Sequence, residues 1–108
     1  MWHIHFYEDH RGKSPVLDSI NSQNPKDRAK VNNVLRLLEE FGIDLGMPHA
    51  RRIEGRLWEL RPGDNRLFNF LYHKQKFVIL HGFRKRSDKT PEKEIAIALR
   101  RLEEISEE

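Results

Sequence analysis

The pattern of hydrophobic and polar residues predicts one strand and two helices in the first part of the chain. Residues 2–7 alternate between apolar and polar side chains, which is typical of a half-buried strand. After Ser14-Pro15, and again after Asn24-Pro25, apolar residues recur at helical spacing, and each pair combines an N-cap residue with a proline at the first helical position. Because Gly42 supplies a C-terminal stop, we expect a brief helix followed by a longer one that ends there.

Three apolar runs follow and are separated by short polar turns. The runs are residues 57–61, 66–72 and 77–83, and the turns are Pro62–Asn65 and His73–Lys76. Turns this short close hairpins between antiparallel neighbours, so a three-stranded meander is predicted. The second and third runs are apolar at odd and even positions alike, which indicates strands that are covered on both faces or central in the sheet.

The remaining segments complete an α+β arrangement. Residues 43–52 are interpreted as a connection, and Thr90-Pro91 starts a last helix whose acidic end, residues 103–108, is expected to fray. Trp58 and Leu60 share one face of their strand and are expected to meet the helices. The order β-α-α-β-β-β-α then predicts a mostly antiparallel four-stranded sheet packed on helices.

Length and composition narrow the class of protein. A chain of 108 residues is long enough for one core, so a single domain over residues 1–108 is expected. The absence of cysteine excludes a disulfide framework and thiolate chemistry. Because no apolar run opens the chain, we expect neither a secretory signal nor a membrane association, and therefore a cytoplasmic protein.

Positive charge is concentrated on the predicted meander. Residues 51–89 contain eleven Arg or Lys and four acidic residues, a net charge of +7, whereas the whole chain is only +3. A localised basic face is typical of proteins that bind polyanions.

Two other patterns have a structural interpretation that we prefer. His3 and His5 lie on one face of a strand, yet no cysteine or aspartate ligand is near them in sequence, so no metal or other cofactor is proposed. Phe68, Phe70 and Tyr72 would stack bases on an exposed sheet, but a packed core face is the favoured interpretation.

Several motifs together resemble the phage-related HigB-like branch of the RelE/ParE toxin superfamily. They are Arg56–Arg61 (RLWELR), Arg66 at the start of the next strand, Phe77–Lys85 (FVILHGFRK) and Lys89–Pro91. The resemblance covers nearly the whole chain, since the order of elements also matches. It implies the toxin of a type II toxin–antitoxin pair, a ribosome-dependent endoribonuclease that cleaves mRNA in the ribosomal A site.

The resemblance also implies which residues carry the chemistry. The catalytic arginine of the family falls on Arg61, and its cationic residues after the last strand fall on Arg84 and Lys85, with Arg66 and Lys89 completing a ring of cations. Attack by the RNA 2′-hydroxyl requires stabilisation of a pentacoordinate phosphate, a base and an acid. Arginine suits the phosphate because its planar fork is bidentate and stays charged, and for the same reason it is not the base.

The sequence leaves two candidates for the group that transfers protons. Known RelE relatives place a tyrosine near the C-terminus, whereas this chain has none after Tyr72. Histidine titrates near neutrality, so His81 is one candidate, and Lys89 is the other. Glu59 lies two residues before Arg61 and is interpreted as an ion-pair partner that orients it, in preference to a general base.

Binding partners follow from the same resemblance. The expected partners are mRNA on the ribosome, ribosomal RNA, and a helix-turn-helix HigA-like antitoxin through which alone the toxin would reach operator DNA. Further RNA-binding candidates besides Arg66 are Arg51, Arg52 and Arg86. The alternative that composition permits equally well is a non-catalytic basic module that binds nucleic acid or a protein partner.

Overall fold

The computed structural model describes residues 1–106 and contains five strands and three α-helices. In chain order these are β1 (His3–Phe6), α1 (Pro15–Asn21), α2 (Pro25–Phe41), β2 (Ala50–Glu54), β3 (Leu57–Leu60), β4 (Asn65–His73), β5 (Lys76–Arg84) and α3 (Glu92–Ser106). A single 3₁₀ turn, Gly42–Asp44, follows α2. None of the helices in this part of the chain is long and apolar enough to cross a membrane.

The strands form one sheet in the order β1-β5-β4-β3-β2, in which only β1 and β5 are parallel neighbours. The α+β class is confirmed, but the prediction of four strands is wrong by one. The additional strand is β2. It begins inside the segment predicted as a connection, and its Ala50 lies opposite Leu60 of β3. The sequence does not reveal this strand, because it lies at the edge of the sheet and two of its residues, Arg51 and Arg52, are exposed. Apolar and polar residues therefore do not alternate along it.

Local capping fixes the first two helices where the sequence predicts them. Ser14 Oγ accepts a hydrogen bond from the Leu17 backbone N–H at 3.3 Å, and Asn24 Oδ1 accepts one from the Asp27 N–H at 2.9 Å. Gly42 ends α2 with a φ of +55°, a conformation that disfavours any side chain. Both predicted helices are therefore confirmed with their termini.

The sheet lies between two helical layers and has a hydrophobic core on each face. On one face, α1 and α2 cover Leu60, Leu67 and Ile79; on the other, α3 covers Phe68 and Phe70. The preferred core role of these two aromatic residues is confirmed, since both are fully buried.

Two details of the prediction are wrong. Trp58 does not pack under the helices with Leu60 but is 39% exposed. The end of α3 is helical through Ser106, so the expected fraying of residues 103–106 is not observed, and residues 107–108 lie outside the described part. Contacts with β5 and with the residue that follows β1 stabilise the end of the helix. Tyr7 donates a hydrogen bond to Glu104 at 2.6 Å, and Arg101 donates one to the Leu80 carbonyl at 2.8 Å.

Candidate active site

A cationic pocket of about 260 Å³ lies on the α3 face of the sheet. Its floor is formed by side chains of β2, β3 and β4, and its opposite wall is the segment that connects β5 to α3. Six cations, two acids and four other residues line it: Arg51, Arg61, Arg66, Lys85, Arg86, Lys89, Glu59, Asp88, Phe83, Ser87, Thr90 and Pro91. Most of the basic residues that the sequence suggested are therefore brought together.

Strand register explains why distant residues meet on this face. Arg51 of β2 lies directly opposite Glu59 of β3, and Arg66 of β4 lies directly opposite Phe83 of β5. Directly opposed residues in antiparallel strands project to the same side of a sheet. The alternation that buries Leu60 against α2 therefore directs Glu59 to the other side, into the pocket.

Glu59 is the anionic centre of the pocket floor, and its side chain is only 2% exposed. Its Oε1 lies 3.0 Å from Arg66 Nε, its Oε2 lies 3.1 Å from Arg51 NH2, and Arg61 Nε is farther away at 4.0 Å. The pairing with Arg61 that the sequence suggested is thus the longest of three. Because Oε2 accepts a hydrogen bond from Arg51 and Oε1 forms an ion pair with Arg66, the carboxylate is a structural counter-charge and not a free base.

Arg66 stabilises the floor and the adjacent turn. Its NH1 donates hydrogen bonds of 2.7 Å to the carbonyls of both Gly63 and Asn65, while Nε contacts Glu59. Burial lowers the pKa of Arg66, the Glu59 carboxylate opposes that shift, and the Arg61 charge adds to it. With most of its donors engaged, this guanidinium shapes the pocket more than it can serve a ligand.

Arg61 and the connecting segment supply the available cations. The Arg61 side chain is 26% exposed, and its NH1 has only a weak acceptor, Met47 Sδ at 3.7 Å. Lys85 Nζ lies 3.3 Å from the fully exposed carboxylate of Asp88, a pair that solvent screens strongly. Arg86 and Lys89 have no acidic partner within 4.0 Å among residues 1–106. Four such cations around a small cavity suit a phosphate group.

His81 lies outside the pocket lining, between the sheet and α3. Its Nε2 is 3.0 Å from Glu94 Oε2, its Nδ1 is 3.5 Å from Arg101 NH1, and its ring stacks on Phe83 at a centroid distance of 6.1 Å. These contacts attach the start of α3 to β5. They place the histidine behind the wall of the pocket and not at its surface.

Two other predicted cations also lie away from the pocket. Arg84 NH1 is 3.2 Å from Asp27 of α2 and its NH2 is 3.9 Å from Asp64, so this arginine joins β5 to the other helical layer. Arg52 is directly opposite Trp58 and therefore projects from the opposite face of the sheet. Within residues 1–106, no three His, Asp or Glu side chains come together as potential metal ligands.

Comparison with known proteins agrees with the fold and with the motifs. The model of the family described as phage-derived Gp49-like proteins matches residues 18–103. The crystal structure of the isolated E. coli RelE toxin aligns with 90% of this chain and 96% of its own at a TM-score of 0.50 and 16% identity, which shows a shared fold. A search of curated proteins found no significant match. The chain belongs to the family of phage-derived Gp49-like proteins and shares the fold of the RelE toxin.

Proposed function

We propose that the protein is the toxin of a type II toxin–antitoxin pair and cleaves mRNA in the ribosomal A site. The observation that carries the proposal is the cationic pocket, in which Arg61 faces three cations of the β5–α3 segment across a space of about 260 Å³. The fold shared with the RelE toxin and membership of the phage-derived Gp49-like family support the same activity. Ribosomal RNA and mRNA are the polyanions that this face would bind.

The proposed reaction places the scissile phosphate between Arg61 and the segment opposite. The substrate's 2′-hydroxyl oxygen attacks phosphorus and releases its proton to solvent water, the bond to the 5′-oxygen breaks, and a 2′,3′-cyclic phosphate forms. Arg61 stabilises the additional negative charge of the pentacoordinate transition state through its free N–H donors, and Lys85 and Arg86 neutralise the other phosphate oxygens. Lys89 lines the pocket, and we assign to it protonation of the leaving 5′-oxygen, in preference to the enclosed His81.

The ribosome has a defined part in this mechanism. Glu59 is held between guanidinium groups and the Asp88 carboxylate is fully exposed to solvent, so the pocket lining offers no enclosed, unpaired carboxylate as a general base for the 2′-hydroxyl proton. Alignment of the 2′-hydroxyl with the phosphate must then supply much of the acceleration, and alignment can contribute about 7 kcal/mol or more. We infer that ribosome-bound mRNA, which presents the nucleotide in a fixed conformation, is the substrate.

A proposed partner is a helix-turn-helix, HigA-like antitoxin. The basic face attracts an acidic partner because complementary charge accelerates association. Repression of the operon would be a property of the toxin–antitoxin complex, in which the antitoxin contacts operator DNA. Arg51 is held by Glu59 and also lies 3.4 Å from Thr90 Oγ1, so it contributes positive potential at the pocket edge.

The experiment that tests the function compares Arg61→Ala with Arg36→Ala. Arg36 is exposed on α2, donates a hydrogen bond to Asn33 and forms no ion pair among residues 1–106, so it controls for loss of one surface arginine. The parent protein and Arg36→Ala are expected to arrest growth and to create new 5′ ends in mRNA. Arg61→Ala should slow cleavage about 10²- to 10³-fold, the usual effect of removing one transition-state donor. Full toxicity of a folded Arg61→Ala protein would contradict the assignment.

A further inference from the structure

A second concave surface lies on the face of the sheet opposite the cationic pocket. It is a groove of about 340 Å³ between the end of α2 and strands β2, β3 and β4, with a mostly apolar lining that includes Leu38, Leu45, Leu60, Leu71 and Phe77. Ile43, which is 64% exposed, and Trp58 lie at its edge. Exposed apolar side chains around an apolar groove mark interaction sites more often than plain surface.

One polar side chain lies within this apolar lining. Asn69 is 2% exposed and lines the groove, and its Nδ2 has only long hydrogen bonds of 3.4 Å to the carbonyls of Trp58 and Leu67. Its Oδ1 accepts no hydrogen bond from the described residues, although no fully buried side-chain oxygen or nitrogen among them lacks a partner. That oxygen must therefore reach open space, and the groove is the open space beside it. A ligand that fills the groove needs a donor here.

Two arginines give the surroundings of the groove a positive charge. Arg56 lines it, and Arg52 projects from the same face directly opposite Trp58. Their hydrogen bonds go to backbone carbonyls: Arg52 Nε to Gly55 at 2.9 Å, and Arg56 NH2 to Leu71 at 2.8 Å. Neither guanidinium has a carboxylate within 4.0 Å among residues 1–106, but the Arg56 guanidinium lies 5.0 Å from the centroid of the Phe70 ring, which belongs to the core on the opposite face of the sheet. The charge of Arg52 is therefore the one available to an acidic partner beside the groove.

We propose that this groove docks a protein segment that inserts one tryptophan or tyrosine side chain flanked by acidic residues. The aromatic ring would fill the apolar space, its N–H or O–H would donate to Asn69 Oδ1, and a flanking acidic residue would meet Arg52. The volume suits one anchor side chain and its neighbours. The inference does not depend on ribonuclease activity, because the groove and the cationic pocket lie on opposite faces of the sheet.

The test uses three capped tripeptides as probes and follows the ¹⁵N-labelled full chain by NMR. The acetylated and amidated peptide Glu-Trp-Glu should bind saturably with a dissociation constant on the order of 1 mM and shift the Asn69 side-chain amide and Trp58 indole signals. Glu-Phe-Glu lacks the donor and Lys-Trp-Lys has the opposite charge. Each should bind at least about threefold more weakly than Glu-Trp-Glu. The difference between Glu-Trp-Glu and Lys-Trp-Lys should become smaller in high salt.

Variants keep the proposal testable even where one of them is unstable. Asn69→Ala should remove the preference for tryptophan over phenylalanine, and Trp58→Ala, at a half-exposed position, should weaken both peptides without loss of fold. Arg52→Ala should reduce the preference for glutamate flanks. Met47→Ala is the matched control, since Met47 is 62% exposed but does not line the groove, and it should bind like the parent.

Three results would overturn the proposal. One is the absence of saturable shifts at the groove, including the case in which the acidic peptide shifts only signals around Arg61 and Lys85. Another is equal binding of the tryptophan and phenylalanine peptides to the parent protein. The last is concentration-dependent self-association of the free protein that Trp58→Ala abolishes, which would identify a second copy of the chain as the occupant.

Discussion

Replacing Glu59 by glutamine should destabilise the protein strongly although it changes no side-chain volume. Glu59 is the only carboxylate within 4.0 Å of Arg66 among the described residues, and the Arg66 side chain is 8% exposed. Removing one partner of a buried ion pair costs about 3–5 kcal/mol, because the other charge stays desolvated. Glutamine retains one acceptor oxygen and leaves no cavity, and Arg51 is exposed enough to move away. We therefore expect a loss of about 2–4 kcal/mol.

This loss is measurable by urea and thermal unfolding. For a domain of this size, 1 kcal/mol corresponds to about 4 °C in the melting temperature, so the midpoint should fall by roughly 10 °C. The matched control is Asp64→Asn, which removes a largely exposed carboxylate 3.9 Å from exposed Arg84. It should cost less than about 0.5 kcal/mol, as is usual for a surface pair.

A double-mutant cycle distinguishes the ion pair from other effects of the substitution. Glu59→Gln alone leaves the Arg66 guanidinium buried without a carboxylate. The double variant with Arg66→Met removes that guanidinium as well. The double variant should therefore be more stable than the sum of the two losses predicts, by about 1–3 kcal/mol. If Glu59→Gln unfolds within about 0.5 kcal/mol of the parent, or if the two losses simply add, the account of Glu59 as the counter-charge of the floor is incorrect.

Three other predictions address a turn, a titrating group and the substrate. Gly42→Ala should cost about 3 kcal/mol or more, since its φ is positive and an added Cβ would overlap the Trp2 indole; Gly46→Ala, which meets nothing, should be nearly neutral in the same unfolding assay. The hydrogen bond to the Glu104 carboxylate and, secondarily, burial raise the pKa of Tyr7. The stability that the protonated Tyr7 side chain gives the folded protein is therefore complete below the unfolded pKa of about 10 and is lost as pH rises through the folded pKa. Tyr7→Phe should therefore be less stable than the parent by about 1 kcal/mol at neutral pH. Its free energy of unfolding should also fall less between neutral and strongly alkaline pH, and an equal fall in the two proteins would disprove this linkage. Purified protein should cleave naked RNA slowly and ribosome-bound mRNA rapidly, a proposal that equal rates in the two assays would refute.

The sequence by itself determined the elements whose causes are local. Ser14 and Asn24 cap their helices through side chains that reach three residues along the chain, and Gly42 ends α2 through its own backbone conformation. The short turns predict the meander, and the two runs that are apolar at odd and even positions alike predict its buried strands. The family motifs lie within the same stretch, so the sequence alone predicts both the fold class and the basic face.

The tertiary structure decided what depends on contacts between distant residues. Strand β2 is defined by pairing with β3, and its exposed arginines gave no apolar pattern. Selection among the cations also required the structure: a sequence shows that Arg61, Arg66 and Arg84 are charged, but only the fold shows that the latter two have carboxylate partners at 3.0 Å and 3.2 Å. Charge is a property of one residue, whereas the availability of a cation for a ligand depends on which partners the fold brings within reach. The sequence therefore predicts that the surface is basic but not which cations line the pocket.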